Sequence, residues 1–184
     1  MRIGIDISQV AYENTGVSKS VTRLIENLFK IDKKNEYIFF FSSFRRQIPQ
    51  KVLKGLIGSQ NVRIKTFRIP QSLLSYFWNR LHIFPLEWFL GNIDVFISSD
   101  WTEPPTNKIK KVTFVHDMSP FLFPDQTDQS IVKNHKAKLK WAKKEDRMFL
   151  CPSEVTKMTS LKLWAFQAIK LELFNGERVY ERRN

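Results

Sequence analysis

Lys111-Val112-Thr113-Phe114-Val115-His116-Asp117-Met118-Ser119-Pro120 is a short apolar run with charge before it and a polar turn after it. A run of this length between turn signals reads as a buried strand. Pro120 helps to stop regular structure just beyond it. In an open parallel sheet, ligands bind outside the carboxyl ends of the strands. His116 and Asp117 are therefore the first candidates for chemistry. The plainer alternative makes His116 a partly buried, hydrogen-bonded histidine and Asp117 a helix cap.

Working outward, strands are expected at residues 2–7, 37–41, 62–67, 94–98, 111–115 and 147–151. Between the first two, Val17, Val21, Leu24, Ile25, Leu28 and Phe29 recur at helical spacing, with Ser18 as a candidate N-cap. Val52, Leu53, Leu56 and Ile57 suggest a short second helix, and residues 73–90 a longer aromatic one, interrupted near Pro85. Residues 130–144 form a basic helix with Val132, His135, Leu139 and Ala142 inside and Lys136, Lys140, Lys143 and Arg147 outside. Pro152-Ser153-Glu154 starts another. This alternation predicts an α/β fold, a parallel sheet with helices on both faces.

The 184 residues suffice for one such domain with a sizeable core. Hydrophobic residues make up 42% and charged residues 26%, which argues against disorder. The net charge of +12 favours anionic partners: nucleotides, acidic sugars, phospholipid surfaces or nucleic acid. A single cysteine, Cys151, excludes an internal disulfide and fits a reducing compartment. The N-terminal residues do not read as a signal peptide, and no apolar run reaches membrane-spanning length. A cytoplasmic location is expected, including the inner face of a membrane.

Three features carry candidate chemistry. Thr15-Gly16-Val17-Ser18 lies between the first strand and helix, where a glycine and free helix amides suit a phosphate; an ordinary tight turn is the alternative. His116-Asp117 and Asp100-Trp101 both fall just past strand ends and line one cleft if the sheet is parallel. No nucleophilic triad is evident, and no metal site is expected. Residues 45–90 mix basic and aromatic side chains, which suits an anionic membrane surface or single-stranded nucleic acid, or else a solvated surface over core aromatics.

Several of these stretches, taken in order, resemble one family. Met1-Arg2-Ile3-Gly4-Ile5-Asp6, Asn14-Thr15-Gly16-Val17-Ser18 and Asn35-Glu36-Tyr37-Ile38-Phe39 look like the start of the group 1 glycosyltransferases, the retaining GT-B enzymes of family 4. Asp94-Val95-Phe96-Ile97, Trp101-Thr102-Glu103-Pro104-Pro105, Val115 to Pro120, Leu122-Phe123-Pro124, Lys140-Trp141-Ala142-Lys143-Lys144 and Cys151-Pro152-Ser153-Glu154-Val155-Thr156-Lys157 continue the pattern. The resemblance covers residues 1–157 and implies a Rossmann-like domain, the acceptor-side half of a GT-B architecture. It implies transfer of a hexose from a nucleotide sugar to a saccharide or lipid-linked acceptor. The donor is a co-substrate, with no resident cofactor or metal. By position, Gly16 and Thr15 would meet the donor diphosphate, and His116 would face the transferred sugar with Asp117 supporting it. The family often has Gly then Arg where this chain has Ser18 and Lys19, which leaves the backbone of Gly16 as the expected phosphate contact.

The family's donor-binding domain has no counterpart in these residues, so the chain alone is expected to be nearly inactive. Two other functions fit the composition: a non-catalytic carbohydrate- or nucleotide-binding module, or a basic nucleic-acid-binding protein. The family pattern stops at Lys157. A shifted reading of suitable codons for residues 157–173 resembles the family's continuation, so residues 158–184 are expected to be an aberrant, frameshifted tail. Leu161, Trp164, Ala168 and Leu171 are spaced for a helix there, one expected to pack poorly on the sheet.

Overall fold

The computed structural model describes residues 1–56, 59–145, 148–164 and 170–173. In chain order it contains β1 (Arg2–Asp6), a 3-10 turn (Ser8–Ala11), α1 (Gly16–Ile31), β2 (Glu36–Ser42), α2 (Gln50–Leu56) and β3 (Val62–Phe67). Then come α3 (Gln71–Ser75), a π-helical stretch (Tyr76–Leu81), α4 (Glu87–Leu90), β4 (Val95–Ser98) and β5 (Lys110–Phe114). The remainder is α5 (Ser119–Leu122), a 3-10 turn (Pro124–Gln126), α6 (Gln129–Glu145), β6 (Met148–Cys151), α7 (Glu154–Trp164) and β7 (Lys170–Leu173).

The strands form one sheet in the order β3-β2-β1-β4-β5-β6-β7, and every pairing is parallel. This is a Rossmann-like arrangement: the chain winds outward from β1 in one direction, then returns to its other side and winds the opposite way. Alternation along β2 shows why both faces are covered. Tyr37, Phe39 and Phe41 enter a cluster with Ile5, Val21, Ile25 and Val52, under α1 and α2. Ile38 and Phe40 enter the opposite cluster with Trp78, Leu86, Leu90 and Phe96. A third cluster joins Leu139 and Ala142 of α6 to Phe149 and Cys151 of β6.

Gly4 sits where β1 meets the second cluster. A Cβ there would lie 2.5 Å from Ile93 Cδ1 and 2.9 Å from Phe96 Cδ2. The Ile93 methyl can swing aside, but the Phe96 ring is wholly buried. Gly4→Ala is expected to cost about 1–3 kcal/mol, as overpacked cores do, read as a lower urea midpoint at unchanged slope.

Several expectations need correction. Thr15, not Ser18, caps α1: its Oγ1 accepts from the Ser18 backbone N–H at 3.2 Å, while the Ser18 hydroxyl donates to the Val10 carbonyl at 3.3 Å. The aromatic segment is three short helical pieces, with left-handed His82 and Phe84 between the last two. Beyond Lys157, α7 continues to Trp164, but Leu171 is in a strand that pairs with Phe149. Strand register thus replaces the helical spacing expected across Leu171. Ile57, Arg147 and Ala168 lie outside the described residues, as do residues 174–184.

Candidate functional site

All strands being parallel, the loops after β1, β2, β4 and β5 share the carboxyl edge of the sheet. The direction of winding changes between β1 and β4, which leaves a crevice there. Thr15-Gly16 opens α1 beyond β1, and His116 lies just beyond β5, so both expected site segments are on this edge.

Asp6, the last residue of β1, ties the edge together. Its carboxylate accepts from the Ser8 backbone N–H at 2.9 Å, the Ser8 hydroxyl at 2.6 Å and the Thr102 hydroxyl at 3.4 Å. The Ser8 hydroxyl in turn accepts from the Ser42 N–H at 3.0 Å. The ends of β1, β2 and β4 are thereby fixed together. Burial raises the Asp6 pKa above the usual carboxylate value, against the pull of hydrogen bonds from Ser8, Ser99 and Thr102.

The amino end of α1 is open. Gly16 is exposed, and among the described residues a Cβ there would meet nothing within 4 Å. Packing therefore does not demand the glycine, and a ligand could approach the first helical amides, which have no intrahelical acceptor. Arg46, beyond β2, lies over the Tyr12 ring at 4.3 Å and donates to the Ala11 carbonyl at 3.2 Å. Tyr12 meets Trp101 edge to face at 5.0 Å, which links the loops after β1 and β4.

His116 stacks on Phe114 with centroids 5.1 Å apart. Its Nε2 is buried and, among the described residues, has no hydrogen-bond partner. Asp100, beyond β4, is the carboxylate beside it: the His116 N–H lies 3.4 Å from Asp100 Oδ1, and His135 Nε2 of α6 is 4.0 Å from Oδ2. Burial lowers the pKa of both histidines, more than the Asp100 charge raises it. Asp117 does not take the supporting role expected of it. Its Oδ1 accepts from the N–H and hydroxyl of Ser119, each at 2.8 Å, and so closes the turn that precedes α5.

Next to this cluster is a cleft of about 640 Å³, lined by Trp101, Tyr76, Arg80, Lys133, Asn134 and His135, among others. Asn79 supports its floor, donating to the Trp101 carbonyl and to Asn134 Oδ1, each at 2.8 Å, and accepting from the Glu103 N–H at 2.8 Å. Aromatic rings, amides and two cations suit a polar, ring-shaped ligand carrying negative charge. Sequence reading took His135 only as an inner-face residue of α6 and missed this cleft, because its walls come from segments some sixty residues apart. Among the described residues, no group of three or more His, Cys, Asp and Glu side chains is placed to hold a metal ion. The Cys151 thiol is buried, its pKa pushed up to about 11, so it is a poor nucleophile.

The chain matches no protein-family model and no curated protein.

Proposed function

We propose that this domain is the acceptor-side half of a retaining glycosyltransferase, working on a nucleotide sugar and a saccharide or lipid-linked acceptor at the cytoplasmic side of a membrane. The observation that carries the reading is the shared edge: the open amino end of α1 and the unpartnered Nε2 of His116 flank the crevice between β1 and β4. The amides of Gly16 and Val17 would meet the diphosphate, with Arg46 as a nearby cation. A neutral His116 would hydrogen-bond a hydroxyl of the transferred sugar, and the cleft beside His135 would hold the acceptor. In the transfer itself, the acceptor oxygen bonds to the anomeric carbon as the bond to the diphosphate breaks. The hydroxyl proton leaves with the nucleoside diphosphate. The groups that hold the donor from its far side lie outside these residues, so binding is expected with negligible turnover.

Gly16→Pro isolates the amide. Proline is favoured at the first helical position, and Thr15 at φ −97°, ψ 150° already has the conformation a following proline requires. The variant should fold normally yet bind nucleotide sugars at least about tenfold more weakly in calorimetric titration, as expected for one charge-assisted hydrogen bond. Gly16→Ala, which keeps the amide, should bind as the parent does. Unchanged binding in Gly16→Pro would remove the diphosphate from this site, and robust turnover by the chain alone would overturn the half-site reading.

A further inference from the structure

A second pocket opens on the carboxyl edge, beyond β2 and β3. It has a volume of about 480 Å³ and is lined by Arg45, Arg46 and Arg68 with Phe41, Phe44 and Phe67, among others. Hydrogen bonds between the two strand ends bring these side chains together. The Ser42 hydroxyl donates to the Ile69 carbonyl at 2.9 Å, and the Ser43 N–H donates to the Phe67 carbonyl at 3.1 Å. The Ser43 hydroxyl accepts from the Arg46 N–H at 3.0 Å and turns the chain there. No acidic residue lines the pocket, and residues 37–86 contain neither aspartate nor glutamate. Among the described residues, no hydrogen bond or ion pair holds the guanidinium of Arg45 or of Arg68. Three like charges around one pocket repel one another, and their planar forks match carboxylate and phosphate groups.

Two links join this pocket to the cleft beside His135. Arg46, in the pocket, lies 4.3 Å from the centre of the Tyr12 ring, and Tyr12 meets Trp101, in the cleft, at 5.0 Å. Gln71, three residues after Arg68, also lines the cleft. Both polar atoms of its side chain are buried and, among the described residues, have no hydrogen-bond partner. Unpaired amide atoms of this kind are costly unless a ligand or water meets them. The adjacent hydroxyls of a sugar both donate and accept, so they satisfy both atoms of this amide. The cleft has cations of its own in Arg80 and Lys133, and no carboxylate lines it either. One edge of the sheet thus carries a sugar-sized cleft and an arginine pocket, with aromatic rings between them.

We propose that the glycan bound along this edge is acidic, its sugars carrying carboxylate or phosphate groups. One sugar unit occupies the cleft, where Arg80 and Lys133 face its acid group and Gln71 its hydroxyls. A further unit of the same chain places its acid group among Arg45, Arg46 and Arg68. The proposal rests on the sugar-transfer reading only in calling this glycan the acceptor.

The test is calorimetric titration of the full chain, without donor, with hexagalacturonate, phosphorylated maltohexaose and neutral maltohexaose. At least one acidic glycan should bind about tenfold or more tightly than the neutral one, and the tighter of the two identifies the acid group. Arg45→Gln with Arg68→Gln should weaken that binding about tenfold, as expected for two exposed ion pairs. Lys108→Gln with Lys110→Gln makes the same change in net charge at the amino edge of the sheet and should leave binding within about twofold. All four side chains belong to exposed residues, so circular dichroism should show both double variants folded. Gln71→Leu, which removes no charge, should also weaken binding. Equal losses from the two double variants would overturn the proposal in favour of diffuse charge. Equal binding of acidic and neutral glycans would overturn it outright. So would tighter binding of hexathymidylate that is lost in the arginine variant, which would assign the pocket to nucleic acid. Since no donor is present, this result and that of Gly16→Pro on nucleotide-sugar binding can fail separately.

Discussion

Lys111→Met should destabilise the domain by about 3–5 kcal/mol in urea unfolding, the cost of leaving a buried charge without its partner. Lys111 is only 2% exposed, in the middle of the sheet. Close partners of its ammonium group include Glu103 Oε1 at 2.8 Å, Glu145 Oε2 at 2.9 Å and the Pro104 carbonyl at 3.0 Å. Glu103 is completely buried. Burial alone would raise its pKa, but the charges of Lys111 and Lys138 and hydrogen bonds from Lys111 and Ser98 outweigh this and hold it below the usual value. With Lys111 gone, Glu103 must stay ionised without its closest cation or take up a proton, and either costs stability. Adding Glu103→Gln should restore much of the loss, because the uncompensated charge is gone. A loss below about 1 kcal/mol in the single variant would show that water reaches Glu103.

Stability should fall steeply as pH drops below 6.5, the ordinary histidine value from which the pKa of both His116 and His135 is lowered. Between each lowered value and 6.5, the unfolded chain binds a proton that the folded one refuses. Stability therefore rises with pH across that window, is complete above it and is lost as pH falls. Each histidine contributes a slope of up to about 1.4 kcal/mol per pH unit, and the two together about 2.7. Asp6 acts in the opposite sense at lower pH: its raised pKa means that the folded state binds the extra proton, so protonation there offsets part of the loss. Urea midpoints measured from pH 7.5 to 4.5 should show the slope, and His116→Gln or His135→Gln should each remove about half of it. A flat profile through pH 6 would show that neither histidine is held neutral.

Much of the fold was legible because the relevant signals are local. Residues 37–41 are continuously apolar because β2 is covered on both faces, and residues 62–67 alternate because β3 is an edge strand with one open face. The inward positions of α6 follow from a 3.6-residue period. His116 and Asp100 were legible as candidates because loops after parallel strands share an edge.

What the sequence determined by itself was the order of elements and the type of most of them, since these depend on spacing. The tertiary structure decided the rest. Lys111 reads as the charged boundary of a strand and lies inside the core, because Glu103, in the loop that precedes β5, and Glu145 of α6 supply its counter-charges. Asp117 reads as the partner of His116 and instead closes a turn with Ser119, while Asp100 takes the place beside the histidine. In both cases the pairing is set by how β4, β5 and α6 lie against one another, which local spacing does not specify.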